Sequence, residues 1–190
     1  MHLKNIWYIF LSVIFFFSCE ESLPPRIVPE NTLAITKIFA TQEASNAGIF
    51  IGIRIIGENK YVETFQDTVN MKGNIHIWWT KHPEIEANVP LDNRYFVEPT
   101  RIQGSILTID PGGEFHLETR WYLNTDDGKN IIDLLDFSHS PIVEGIVTAA
   151  PEKFMLEVEL TLFKQTGLLR SKPQEFIFTG WKMADTNPQK

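Results

Sequence analysis

Apolar and polar residues alternate along most of this chain. Ile49, Ile51, Ile53 and Ile55 fall on one face of an extended segment, with Gly52 and Arg54 on the other. Ile75, Ile77 and Trp79 alternate with His76, Trp78 and Thr80. Phe115, Leu117, Thr119, Trp121 and Leu123 alternate with His116, Glu118, Arg120 and Tyr122. Phe154, Leu156, Val158, Leu160 and Leu162 alternate with Met155, Glu157, Glu159 and Thr161. A period of two places successive side chains on opposite faces, so each run predicts a half-buried β-strand. Parity then assigns Trp79 and Trp121 to the core, and Trp78 and Tyr122 to the outer faces.

Turn chemistry separates the runs. Gly57-Glu58-Asn59-Lys60, Asp110-Pro111-Gly112-Gly113 and Asp126-Asp127-Gly128-Lys129 each predict a turn between apolar segments, and Met71-Lys72-Gly73-Asn74 predicts another. Glycine supplies positive φ and proline a preset φ. No segment sustains helical spacing. One short helix is expected at Ile131–Phe137, where Ile131, Leu134 and Leu135 would share a face and Asn130 or Asp133 would belong to the cap region.

Many short strands with tight turns predict an all-β antiparallel sandwich. The stretch Leu107-Thr108-Ile109-Asp110-Pro111-Gly112-Gly113-Glu114-Phe115, followed by Trp121 and the Asp-Asp-Gly turn, resembles immunoglobulin-like domains of bacterial envelope proteins. In those a proline-glycine turn joins two strands and a tryptophan precedes an acidic-glycine hairpin. The resemblance covers about 25 residues, departs from antibody domains in lacking the cysteine pair between sheets, and implies fold rather than function.

The N-terminal segment breaks the alternation. Lys4 precedes Ile6–Phe17, in which Ser12 alone is polar, and Ser18 precedes Cys19, the only cysteine. As a helix this run spans roughly 18 Å, short of the roughly 30 Å hydrocarbon core of a bilayer. An ordinary cleaved signal fits the charged start but lacks small residues in an A-x-A-like pattern. The segment resembles a bacterial lipobox, loose and Phe-rich as in Bacteroidota, although Phe16 and Phe17 stand where an aliphatic and a small residue are usual. That resemblance implies that Cys19 is lipidated and begins the mature chain, anchored to the outer membrane. Glu20-Glu21 resembles the acidic export tag of Bacteroidota surface lipoproteins, implying the cell surface ahead of the periplasmic face. Pro24, Pro25 and Pro29 make the following residues a semi-rigid, extended spacer. The expected organisation is therefore a signal peptide at 1–18, a lipidated cysteine and tether at 19–32, the β-domain at 33–184 and a tail at 185–190.

Removing residues 1–18 takes out Lys4 and no acid, leaving 16 basic side chains against 24 acidic ones, a net charge of −8. This disfavours nucleic acid, which demands a basic patch. Without Cys19 no disulfide, thiolate metal site or cysteine nucleophile is available.

Motif chemistry is sparse. Asn124-Thr125-Asp126-Asp127-Gly128 fails the calcium-loop pattern, because counting from Asn124 puts Gly128 at position 5 and Leu135 at position 12. His82-Pro83-Glu84 has H-x-E spacing but no downstream cysteines. No G-x-S-x-G or H-E-x-x-H occurs, and His139 between Ser138 and Ser140 is a chain neighbour, not a triad. No metal, cofactor or catalytic residue is expected. The binding candidates are aromatic and polar residues of the outer faces: Trp78 with His76, and Tyr122 with His116 and Arg120. Together they would form a strip suited to sugar stacking or a protein contact. Asp67-Thr68-Val69 resembles the Bacteroidota O-glycosylation site, which implies a glycan on Thr68. The expected function is a non-catalytic, lipid-anchored envelope protein that binds a macromolecule or serves as a structural module. A glycan-binding accessory lipoprotein of a polysaccharide-uptake system and a small envelope hydrolase are the alternatives.

Overall fold

The computed structural model describes residues 32–45, 48–125, 127–163 and 167–184. Residues 1–31, which include Cys19, and the tail at 185–190 lie outside the described residues. Within them the chain is all-β, with no α-helix and with antiparallel strand pairing throughout. The first sheet runs in the order β1 (Leu33–Ser45), β2 (Gly48–Asn59), β9 (Glu114–Tyr122) and β6 (Phe96–Val97). The second runs β13 (Leu169–Arg170), β12 (Glu152–Thr161), β4 (Lys72–Trp79) and β5 (Glu86–Asp92), with β14 (Gln174–Phe178) pairing the other half of β12 beside β13. Two three-stranded sheets complete the body. One contains β3 (Phe65–Thr68), β8 (Ile106–Ile109) and β7 (Arg101–Gln103); the other contains β10 (Ile142–Val143), β11 (Ile146–Thr148) and β15 (Trp181–Met183).

The period-two rows meet in one core. Ile51, Ile53 and Ile55 of β2 and Phe115, Leu117 and Trp121 of β9 are buried on the inner face of the first sheet. Ile75, Ile77 and Trp79 of β4 and Phe154, Leu156, Val158 and Leu160 of β12 are buried on the facing sheet. Phe154 is the centre: its ring stacks on Trp79 at 5.4 Å and on Phe176 at 5.6 Å, and meets Trp121 and Phe178 edge-on. Full burial of one such side chain contributes about 1.5–3 kcal/mol, so these rows dominate the stability of the fold. The open flank is held by an amide clasp. Gln42 Nε2 donates to the Thr179 carbonyl at 2.7 Å, and the Thr179 N–H donates back to Gln42 Oε1 at 3.1 Å.

Several expected turns are placed differently. Gly57 and Glu58 lie within β2, which continues to Asn59. The Phe115 ring lies where a Cβ of Gly57 would be, so this glycine serves close packing instead of a bend. Gly73 lies within β4, where an added Cβ would stand 2.7 Å from the Glu159 carbonyl oxygen. The expected helix at Ile131–Phe137 is one 3-10 turn, Ile131–Leu134, capped by Asn130 Oδ1, which accepts from the Ile132 N–H at 3.0 Å. Ile131 and Leu135 are buried but Leu134 is exposed, so Leu134 does not share their face. The Asp110–Gly113 segment is a turn, with Gly112 at φ 68° and the Gly113 N–H donating to the Asp110 carbonyl at 2.8 Å. Thr32 is buried and its carbonyl accepts from the Lys60 N–H, so the packed body already includes it.

Candidate binding face

The five outward-facing candidates do not form one strip. Trp78 and His76 stand on β4, in the second sheet; His116, Arg120 and Tyr122 stand on β9, in the first. The inner faces of these sheets meet through Trp121 and Phe154, so their outer faces look in opposite directions. Strand parity assigns each side chain to the outside but carries no information on which sheet a strand joins. The expectation of a single strip is corrected on that ground.

On the second sheet, Trp78 is half-buried and stacked on His76, with ring centroids 4.8 Å apart. His76 Nε2 lies 2.7 Å from Glu86 Oε2, and Asn74 Nδ2 donates to Asn88 Oδ1 at 2.7 Å beside it. On the first sheet, His116 is only 9% exposed. Its backbone N–H donates to Thr100 Oγ1 at 2.7 Å, its Nε2 pairs with Glu114 Oε2 at 2.9 Å, and its Nδ1 is buried without a partner. His116 is therefore closed off from solvent by the segment that carries Val97 and Thr100. The hydrogen bond from His116 holds the Glu114 carboxyl below the usual carboxylate range. Tyr122 is 49% exposed and its ring lies 5.7 Å from Phe50. The Arg120 guanidinium covers Phe50 at 4.8 Å, leaving Phe50 buried on this outer face.

The same outer face carries an open trough of about 850 Å³. It runs across the sheet, from Phe39 on β1 to Tyr95 beside β6. Phe39 is 49% exposed. Tyr95 closes a 3-10 turn, Asn93–Tyr95, capped by Asp92, whose carboxylate accepts from the Arg94 N–H at 2.9 Å. The Arg94 side chain also donates to both oxygens of Asp92 and passes 5.8 Å over the Tyr95 ring. These bonds hold the Asp92 carboxyl below its ordinary range, the Arg94 side chain being the larger cause.

Four charged side chains line the trough between the rings. Arg54 donates to Glu118, and Arg120 faces Glu43 at 4.0 Å. Thr41 Oγ1 donates to Glu43 Oε1 at 3.3 Å. The carboxylate of Glu43 lies over Gly52, where any Cβ would strike it. Exposed pairs of this kind contribute only about 0–1 kcal/mol, so stability does not explain their gathering here. Sequence analysis singled out Arg120 alone among these residues. Gly52 and Arg54 were legible as the outer side of a strand, but Phe39 and Tyr95 come from segments without a clear alternation.

The other motif residues stand away from the trough. Thr68 is exposed at the end of the edge strand β3, and its N–H donates to Asp67 Oδ1 at 2.6 Å. Asp127 accepts from the Thr125 hydroxyl and pairs with Lys129 Nζ at 3.1 Å, so it braces a turn. Its carboxyl is lowered, chiefly by the Thr125 hydroxyl. Ser138 Oγ donates to Asp136 Oδ1 at 2.5 Å and lies 2.7 Å from His139 Nδ1. Asp136 thus binds the serine and does not orient the histidine through its second nitrogen, as a relay requires. Among the described residues no group of three or more His, Cys, Asp or Glu side chains is gathered around one point.

No family model and no curated protein matches the chain. A solved structure from the Northeast Structural Genomics Consortium, target SoR45, is similar at 9% identity with a TM-score of 0.39, over 78% of this chain and 88% of that one.

Proposed function

We propose that this chain is a non-catalytic, lipid-anchored protein of the bacterial outer membrane, with an immunoglobulin-like β-sandwich that binds a macromolecule through the outer face of its first sheet. The trough between Phe39 and Tyr95 carries this reading. It combines the exposed ring of Phe39 and the half-buried ring of Tyr95 with the planar donors and acceptors of Arg54, Arg120, Glu43 and Glu118, the mixture that orients ligands in binding clefts. Both carboxylates face arginines, an arrangement for holding a ligand in place of transferring a proton. In this reading the lipid on Cys19 anchors the domain and the proline-rich segment displays it. Thr68, exposed at a strand end, is the proposed glycan carrier.

Two measurements test the reading. The intact mass of membrane-extracted protein is expected to show a chain that begins at Cys19 with acyl adducts, and Cys19→Ser is expected to release the protein to the aqueous phase. Retention of the full chain on separated envelope polysaccharide and envelope protein fractions is expected to fall on Phe39→Ala. An unmodified Cys19, or retention untouched by Phe39→Ala and Tyr95→Ala alike, contradicts it.

A further inference from the structure

We propose that the ligand of the trough is an uncharged oligosaccharide that lies across the strands, an inference resting on the reading of the trough as the contact face.

Charge pairing selects the ligand class. Each cation of the trough already faces an anion, Arg54 with Glu118 and Arg120 with Glu43. Two arginines and two glutamates sum to zero, so an ionic ligand meets no net attraction and competes with the existing pairs. An uncharged ligand faces no such competition. A guanidinium has five N–H donors and a carboxylate about four acceptor sites, so each pair keeps unused donors and acceptors after its partner is satisfied. Donors and acceptors side by side in planar groups match adjacent hydroxyls of a sugar, which both donate and accept. Thr41 adds a hydroxyl beside Glu43.

The rings select for length. Phe39 stands on one edge strand of the sheet, and Tyr95 stands next to the other. Three strand spacings separate the edges, about 14 Å. A single sugar ring cannot touch both aromatics, whereas a chain of several can, with its C–H faces on the rings and its hydroxyls over the arginine–glutamate pairs. Gly52, in the middle of the path, leaves room for the Glu43 carboxylate, which lies where a side chain would stand. A peptide strand is the weaker match, because its backbone would find edge groups on β1 or β6 and not on the sheet face.

The test uses the full chain in detergent and saturation-transfer NMR with maltohexaose, cellohexaose, xylohexaose and hexagalacturonate, together with the matching monosaccharides. A neutral hexasaccharide is expected to bind at least about tenfold more tightly than its monosaccharide, and Phe39→Ala and Tyr95→Ala each to weaken it by about tenfold or more. Trp78→Ala, on the opposite face, is expected to leave binding unchanged. Raising the salt to about 1 M is expected to alter the affinity less than about twofold, since an uncharged ligand brings no charge to screen. Binding of hexagalacturonate alone, or of no sugar while Phe39→Ala still reduces retention by envelope protein, overturns the oligosaccharide assignment but leaves the contact face standing. If neither Phe39→Ala nor Tyr95→Ala changes any binding, both fall.

Discussion

The ring of Trp121 meets the ring of Phe154 edge-on, with centroids 6.2 Å apart and planes inclined by 64°. Trp121 belongs to β9 and Phe154 to β12, so this contact joins the two large sheets. Both residues are buried, and Phe154 also touches Trp79, Phe176 and Phe178. Truncating either ring opens a cavity between sheets that cannot collapse independently. Phe154→Ala and Trp121→Ala should each cost about 3–5 kcal/mol in chemical denaturation, with the double mutant falling short of their sum because they share a contact. Full additivity would show that the rings do not act across the interface.

Gly73 pairs with Leu160 of β12 at a point that leaves no room for a side chain. A Cβ there would lie 2.7 Å from the Glu159 carbonyl oxygen and 2.8 Å from Leu160 Cβ. Gly73→Ala should destabilise by about 1–3 kcal/mol, because backbone has to shift to admit the methyl group. Gly167 has open space around it, so Gly167→Ala should change the unfolding midpoint little. Equal effects of the two would contradict the packing seen at Gly73.

The clasp between Gln42 and Thr179 holds β1 to the chain leaving β14. Gln42→Ala leaves a partly buried N–H and carbonyl without their partners, at a cost of about 1–3 kcal/mol. Hydrogen exchange at the Thr179 amide should accelerate selectively. Unchanged protection would mean that the backbone finds another partner there.

Asp92 gives the turn before Tyr95 a pH dependence. Its folded-state carboxyl is lowered by the Arg94 side chain and N–H. The contribution of a lowered carboxylate is complete above its ordinary titration range and is lost as pH falls through the lower folded value. Amide exchange at Arg94, corrected for its intrinsic pH dependence, should therefore show protection that declines on acidification below the usual carboxylate range. Asp92→Asn should remove that decline. Protection that rises on acidification would contradict the assignment.

The core was readable from sequence because alternation over six or more residues fixes a strand face: Ile75, Ile77, Trp79, Trp121 and Phe154 are all buried as parity requires. The binding face was not, because it depends on which strands become neighbours. Trp78 and Tyr122 are equivalent by parity yet stand on opposite sides of the molecule. Gly57 and Gly73 were misread as turns since a glycine under a packed ring or backbone carries the same local signal as one in a bend. Tyr95 is placed by the capping of a three-residue turn, a device too short to leave a periodic trace.

Protection of a single introduced thiol tests the contact face most directly, since Cys19 is the only native cysteine. Thr41→Cys places a thiol in the trough and Lys72→Cys places one on the outer face of the second sheet. With the full chain bound to its envelope fraction, maleimide labelling at position 41 should slow by about tenfold while labelling at position 72 stays unchanged, as expected when a ligand excludes water from one patch alone. Equal labelling rates at position 41 with and without the bound fraction, or protection confined to position 72, would contradict the assignment of the binding face to the first sheet.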